Sequence, residues 1–232
     1  MKIAEIVSSL CELNAPVIFS DTCSILDIFR AVHKTNINIT HVSGFKRLPG
    51  LIEKGKIQSV ITYTVKEEFL TNEAGVYVEL EKTINKLIQN NEKFISVLQS
   101  LGIGYEFHFK GIEDINLPKV LKESLRRFIE RSLVLDKDEI VANKAVTRFE
   151  KNEPPTSQNK KELKDCLIIE HYLELAQKLR DIGFSNKIFF MTSNSSDYGK
   201  IGSLKPPLDS QLSGVKMDYR DNYNWILSEL EL

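Results

Sequence analysis

Four acidic residues fall where an α/β chain concentrates its chemistry. Asp21 interrupts the apolar run "VIFSDTCSILDIF" (17–29) at the point where a strand should end, and Glu68 follows the apolar segment "KIQSVITYTV" (56–65). Asp197 follows "KIFFMTS" (187–193), and Asp165 lies near the start of "ELKDCLIIEHYLELAQKLRDIG". Helical geometry selects Glu68 over its neighbour Glu67. Val65, Glu68 and Phe69 stand at i, i+3 and i+4 on one face, whereas adjacent residues diverge by about 100°. Asp165 shares a stripe with Ile168, Ile169, Tyr172 and Ala176, and an acid on an apolar stripe needs a partner. Carboxylates brought together repel unless they share protons or bind a cation, and hard oxygen donors favour Mg2+ or Mn2+.

The elements that must position these acids alternate between two periods. Val17, Ile18 and Phe19 read as a strand, "SILDIFRAV" as a helix, and 56–65 as a second strand leading into "KEEFL". Spaced apolar residues from about 73 to 101, closed by Gly102, predict one long helix. "LPKVLKESLRRFIERSLVL" (117–135) and "DKDEIVANKAVTRFE" (136–150) predict two more, with "YEFHF" (105–109) as a short strand before them. "KNEPPTSQNKK" (151–161), with two prolines in a polar cluster, is a loop. Asn159 and Glu162, three apart, predict a capping box for the helix that follows. "KIFFMTS" is a continuous apolar run of strand length, the mark of a parallel strand covered on both faces. "GVKMDYRDNYNWILSELEL" predicts a short strand and a closing helix. Such alternation implies a parallel α/β sheet whose ligands bind outside the carboxyl ends of the strands, and it puts Asp21, Glu68 and Asp197 on one edge.

Global properties set the surroundings. A chain of 232 residues suits one domain, or one with an insertion. No segment approaches a membrane span, and the first residues lack an apolar stretch with a small-residue cleavage site, so no secretory signal is expected. Three widely spaced cysteines, Cys11, Cys23 and Cys166, form no disulfide framework, and a reducing cytoplasm is the expectation. The formal net charge of -1 excludes a globally basic nucleic-acid binder but leaves room for a local basic face. Residues 119–151 hold nine Lys and Arg against six Asp and Glu; helical faces of mixed sign are usually solvated, so a nucleic-acid path there is the minor reading. His33, His41, His108 and His171 show no zinc spacing, and no phosphate-cradling glycine loop or nucleophile elbow occurs.

In this order, "FSDTCSIL", "YTVKEEF", "KDCLIIE" and "FMTSNSSDYG" resemble the four acidic motifs of PIN-like nucleases. "RFEKNEPPTSQNKKELKDCLI" is similar to the larger PIN-like branch, in which an arginine, a proline-bearing loop and lysines precede the third acid. The resemblance covers residues 17–199. It implies an α/β fold with three α/β/α layers and a central, mainly parallel sheet, in a single domain over 1–232 with a helical insertion at about 73–150. It also implies a metal-dependent endonuclease acting mostly on RNA and sometimes on DNA, with Mg2+ or Mn2+ held by Asp21, Glu68, Asp165 and Asp197. Asn194 falls where many relatives place a further acid and joins the expected metal site, while Cys23 falls where Asn or Ser is commoner. Arg148, Lys160 and Lys161 are expected to meet substrate phosphates, and Thr192 and Ser193 to bond a phosphate or a water at the strand end. Single-stranded RNA is the expected partner; relatives often dimerise, so a homodimer stays open, as does an antitoxin or defence-system partner.

Taken singly, each acid also has a plain structural role. Asp21 with Thr22 could cap a helix, Glu68 could suit a helix dipole, Asp165 could pair with Lys161, and Asp197 could shape a turn. Four such coincidences on one sheet edge, in one family order, are a weaker account than one site. Glu170, about 140° from Asp165 around the helix, is expected to be structural or on the surface. Two other functions stay in view. An inactive PIN-like module that binds RNA or protein is kept alive by Asn194, and a Mg-dependent phosphatase using a strand-end aspartate is weakened by Cys23, where a second Asp would stand.

Overall fold

A computed structural model describes residues 1–32, 34, 37–103 and 116–232. The strands are β1 (Val17–Ser20), β2 (Gln58–Thr62), β3 (Leu133–Leu135), β4 (Ile188–Met191), β5 (Gly199–Lys200), β6 (Ser203–Leu204) and β7 (Met217–Arg220). Five of them form one sheet in the order β3-β2-β1-β4-β7, every neighbouring pair parallel, while β5 and β6 make a small antiparallel hairpin. Every residue of β1, β2 and β4 is buried, which is why these strands read as unbroken apolar runs.

Helices cover both faces of the sheet. On one side, α1 (Ile3–Leu13) and α6 (Glu139–Glu150) pack on α7 (Leu163–Asp181). Phe19 of β1 stacks on Tyr172 of α7 with ring centroids 4.8 Å apart. On the other side, α2 (Thr22–Arg30), α3 (Ile39–Glu53), α5 (Leu117–Arg131) and α10 (Tyr223–Glu229) pack together. Tyr223 of α10 donates its hydroxyl to Ser20 Oγ at 3.1 Å. Gly44 makes that second layer close-packed, because a Cβ there would lie 2.3 Å from the Asn224 backbone nitrogen. The remaining helices are α4 (Tyr63–Ser100), α8 (Ser195–Tyr198) and α9 (Leu208–Gly214). Among the described residues no helix is long and apolar enough to cross a membrane.

Four local expectations are corrected. The long helix starts at Tyr63 rather than near 73, because Thr62 caps it, its hydroxyl accepting from the Val65 N–H at 3.2 Å. Glu68 therefore stands in the second turn of a 38-residue helix whose buried side chains end at Leu80. The helix expected over 117–135 stops at Arg131. Ser132 turns extended, its hydroxyl donates to Phe128 O at 2.8 Å and lies 2.8 Å from Ser59 Oγ, and Leu133–Leu135 becomes the edge strand. The stretch 73–150 thus supplies a strand of the central sheet as well as helices. The capping box at Asn159 and Glu162 does not form: α7 begins at Leu163, with Glu162 at its N-cap and no side-chain cap bond. Helices α1 and α3 were not expected from the sequence. The strand expected at 105–109 lies outside the described residues.

Candidate active site

The register of β1 and β4 builds the centre of the site. Ser20 pairs with Met191, and the Asp21 N–H donates to Met191 O at 2.9 Å, so the two strands release their chains side by side. Asp21 is 1% exposed. Its Oδ1 accepts from the Thr22 N–H at 2.7 Å as the N-cap of α2, and its Oδ2 accepts from the Thr192 hydroxyl at 2.7 Å. Capping and site roles therefore coincide in one carboxylate. The Thr22 hydroxyl donates to Glu68 Oε2 at 2.7 Å, tying the base of α4 to the end of β1. Asp197, buried in α8, accepts from Asn194 Nδ2 at 2.7 Å, from Ser196 Oγ at 3.3 Å and from the Lys160 ammonium. Gly199 (φ +103°) lets the β5–β6 hairpin close immediately afterwards, since a Cβ there would lie 2.7 Å from Leu204 Cα. Asp165 occupies the first turn of α7.

Charge is concentrated here rather than cancelled. Burial pushes the Asp165 carboxyl up to about 8, and the charges of Asp21, Glu68, Glu162 and Asp197 add to the rise. Burial likewise lifts Asp21 to about 6, with Glu68 and Asp197 raising it further and the bonds from Thr192 and the Thr22 N–H opposing. Three of the four expected acids, Asp21, Glu68 and Asp197, thus act on Asp165, and two of them on Asp21 as well. For Asp197, burial disfavours the charge, but hydrogen bonds from Lys160, Asn194 and Ser196 outweigh it and hold the carboxyl below its usual range. The Tyr198 hydroxyl is buried without a hydrogen-bond partner among the described residues. Its ionisation is pushed well up by burial and then by Asp21 and Asp165.

The donor set fits a hard divalent cation in its chemistry: the acids offer only oxygen, repel one another, and have an unanswered buried hydroxyl beside them. Among the described residues, however, no three His, Cys, Asp or Glu side chains already converge as a metal cage. Glu68 is turned to Thr22 and to Lys164, whose ammonium lies 3.5 Å away, and Asp197 to Lys160.

The other expected residues divide. Thr192 reaches Asp21 and Lys160 reaches Asp197. Asn194 directs its amide N–H at Asp197 and so orients that acid. Ser193 instead donates to Asp27 Oδ2 at 2.7 Å. Lys161 donates to Asn152 Oδ1 and rests over the Phe149 ring at 5.0 Å, not on Asp165. Arg148 is corrected outright as a phosphate contact. It is 2% exposed, and its guanidinium donates to Glu170 Oε1 at 2.6 Å, to Pro154 O at 2.6 Å and to Gln211 Oε1 at 2.7 Å. Sequence reasoning gave Thr22 only a capping role and missed Lys164 and Tyr198. The first two stand directly beside Asp21 and Asp165, and Tyr198 directly after Asp197, so adjacency was the available signal.

A five-stranded parallel sheet covered by helices on both faces, with acids beyond the carboxyl ends of its strands, defines a three-layer α/β domain. The family model described as PIN domain matches residues 18–198, and the chain belongs to that family. PIN domains are in general nucleases and typically use divalent metals. No curated protein and no solved structure matches the chain.

Proposed function

We propose that this PIN domain is a metal-dependent endonuclease that hydrolyses phosphodiester bonds, with single-stranded RNA as the favoured substrate. One observation carries the reading: Asp21 and Asp165, delivered by different elements to one sheet edge, are both raised by burial and by the charges of the other acids. Asp21, Glu68, Asp165 and Asp197 would hold Mg2+ or Mn2+, with Asn194 orienting Asp197. A bound divalent cation supplies polarisation of a phosphoryl oxygen and a lower pKa for a water.

The chain's own residues prepare that chemistry. The Thr22 N–H and the Thr192 hydroxyl fix both oxygens of Asp21, so its carboxylate is oriented before substrate arrives. Lys160 and Lys164 neutralise Asp197 and Glu68, and both side chains are exposed enough, at 47% and 66%, to turn to a phosphate. With its carboxyl pushed up to about 8 by burial and then by Asp21 and Glu68, Asp165 keeps its proton at neutral pH more readily than an ordinary aspartate.

The test is cleavage of labelled single-stranded RNA and DNA with Mn2+ or Mg2+, comparing wild type with Asp21→Asn and Asp165→Asn. Metal-dependent cutting lost in both variants is the expected result, together with a higher melting midpoint in Mn2+. A second reading, a PIN module that binds RNA or protein without cutting, is favoured by the lysine partners of Glu68 and Asp197. No cutting of any substrate and no metal-induced stabilisation would establish that alternative.

A further inference from the structure

Trp225 is the sole tryptophan of the chain, and its indole is 51% exposed on α10. It lines a cavity of about 450 Å³ together with Asp27, Asn38, Ser193, Asp221 and Asn222. The cavity opens beside the acids, because Ser193 lies between Thr192, which bonds Asp21, and Asn194, which bonds Asp197. Its walls are held in place: Ser193 donates to Asp27, and buried Asn222 donates to Thr40 Oγ1 at 2.8 Å while accepting from the Asn224 N–H at 2.9 Å.

We propose that this cavity is a nucleobase pocket, in which one base of a single-stranded nucleic acid stacks on Trp225 and presents an exocyclic amino group to Asp221. The inference rests on the nuclease reading for the class of ligand, but not on cleavage taking place. Chemistry selects a base over a phosphate: Asp221 repels an anion, whereas an indole face stacks on any base and a carboxylate accepts from an amino group. Cytosine, adenine and guanine carry such an amino group, whereas uracil offers only its ring N3–H and places carbonyl oxygens on either side of it. Positive charge for the adjoining backbone is close by, since Arg30 and Lys34 lie 3.4 and 3.8 Å from Asp27 Oδ1.

The sole tryptophan makes the pocket its own reporter. The unaltered protein is titrated with oligo(C), oligo(A) and oligo(U), with intrinsic fluorescence and fluorescein-labelled anisotropy followed together. Saturable quenching by oligo(C) and oligo(A) is expected, with oligo(U) bound roughly tenfold more weakly. Trp225→Ala should bind oligo(C) about tenfold more weakly, and Trp225→Phe should retain most of the affinity. Asp221→Asn should narrow the gap between oligo(C) and oligo(U). Absence of saturable quenching with every oligonucleotide overturns the pocket, as does unchanged affinity in Trp225→Ala. Cleavage measured in parallel separates the two readings. Cutting without quenching removes the pocket and leaves the nuclease, whereas quenching without cutting keeps the pocket on a binding module.

Discussion

Arg148 and Asp21 are both buried charged side chains in the same fold, and their surroundings are opposite. The Arg148 guanidinium has a carboxylate, a backbone carbonyl and a side-chain amide oxygen, so each of its three nitrogens has an acceptor. Asp21 has two good donors, but around it stand Glu68 and Asp197, and its charge raises Asp165 in turn. A charge answered on all sides holds a loop to a helix. Like charges gathered at a strand end destabilise the fold that gathers them, and such a cost persists where a ligand of opposite sign relieves it.

The contrast breaks most visibly at Arg148. Replacing it with Met leaves Glu170 uncompensated and should cost about 3–5 kcal/mol, lowering the midpoint of a calorimetric melt by about 10 °C. A shift as small as that of a surface lysine would show that the node is not structural. Asp165→Asn should move the other way in metal-free protein, raising the midpoint at alkaline pH by about 2–4 °C, while cleavage falls about 100-fold or more. A destabilised Asp165→Asn would mean that the acids do not repel in solution.

The pH dependence sharpens the same point. Asp21 and Asp165 have folded values of about 6 and about 8, both above the ordinary aspartate value of 3.8, so the folded chain binds these protons more tightly than the unfolded one. Their contribution to stability is fullest at low pH and is lost as pH rises through about 6 and then about 8. Metal-free melts should therefore show a falling midpoint above pH 6.5, and Mn2+ should flatten the fall. The window begins there because His41 and His171, held by burial below their ordinary 6.5, act in the opposite sense beneath it. The smallest effect is expected for Lys160→Ala. Lys160 is half-exposed and Asp197, though buried, keeps the Asn194 and Ser196 donors, so the loss should cost only about 1 kcal/mol while Mn2+ binds more tightly to the released Asp197, as read by the metal-induced melting shift.

The sheet edge was legible because β1 and β4 are buried on both faces, so each apolar run announces its own end and the polar residue after it. Glu68 and Asp165 were legible from helical spacing alone. Arg148 was not. Its acceptors Glu170 and Gln211 lie 22 and 63 residues away, and a lysine-rich loop beside an arginine looks the same whether the arginine faces solvent or the core. Leu133–Leu135 was absorbed into the preceding helix because three residues carry no period, and only pairing with β2 makes them a strand. Pro49 and the glycines of α3 look like loop punctuation, yet Gly44 is there to let α10 approach. Trp225 gave no spacing signal, since it meets Ser193 around one cavity only in the fold.

The neighbouring places of β1 and β4 in the sheet have a consequence for biosynthesis. Thr192 and Asp21 are 171 residues apart along the chain but bonded in the fold. A ribosome extending this protein releases Asp21 first of the four, then Glu68, then Asp165, and after them the strand that sets Thr192 and Asp197 beside them. Until β4 has emerged and docked, the acids are not brought together, so a chain that has not yet reached β4 carries no assembled cluster.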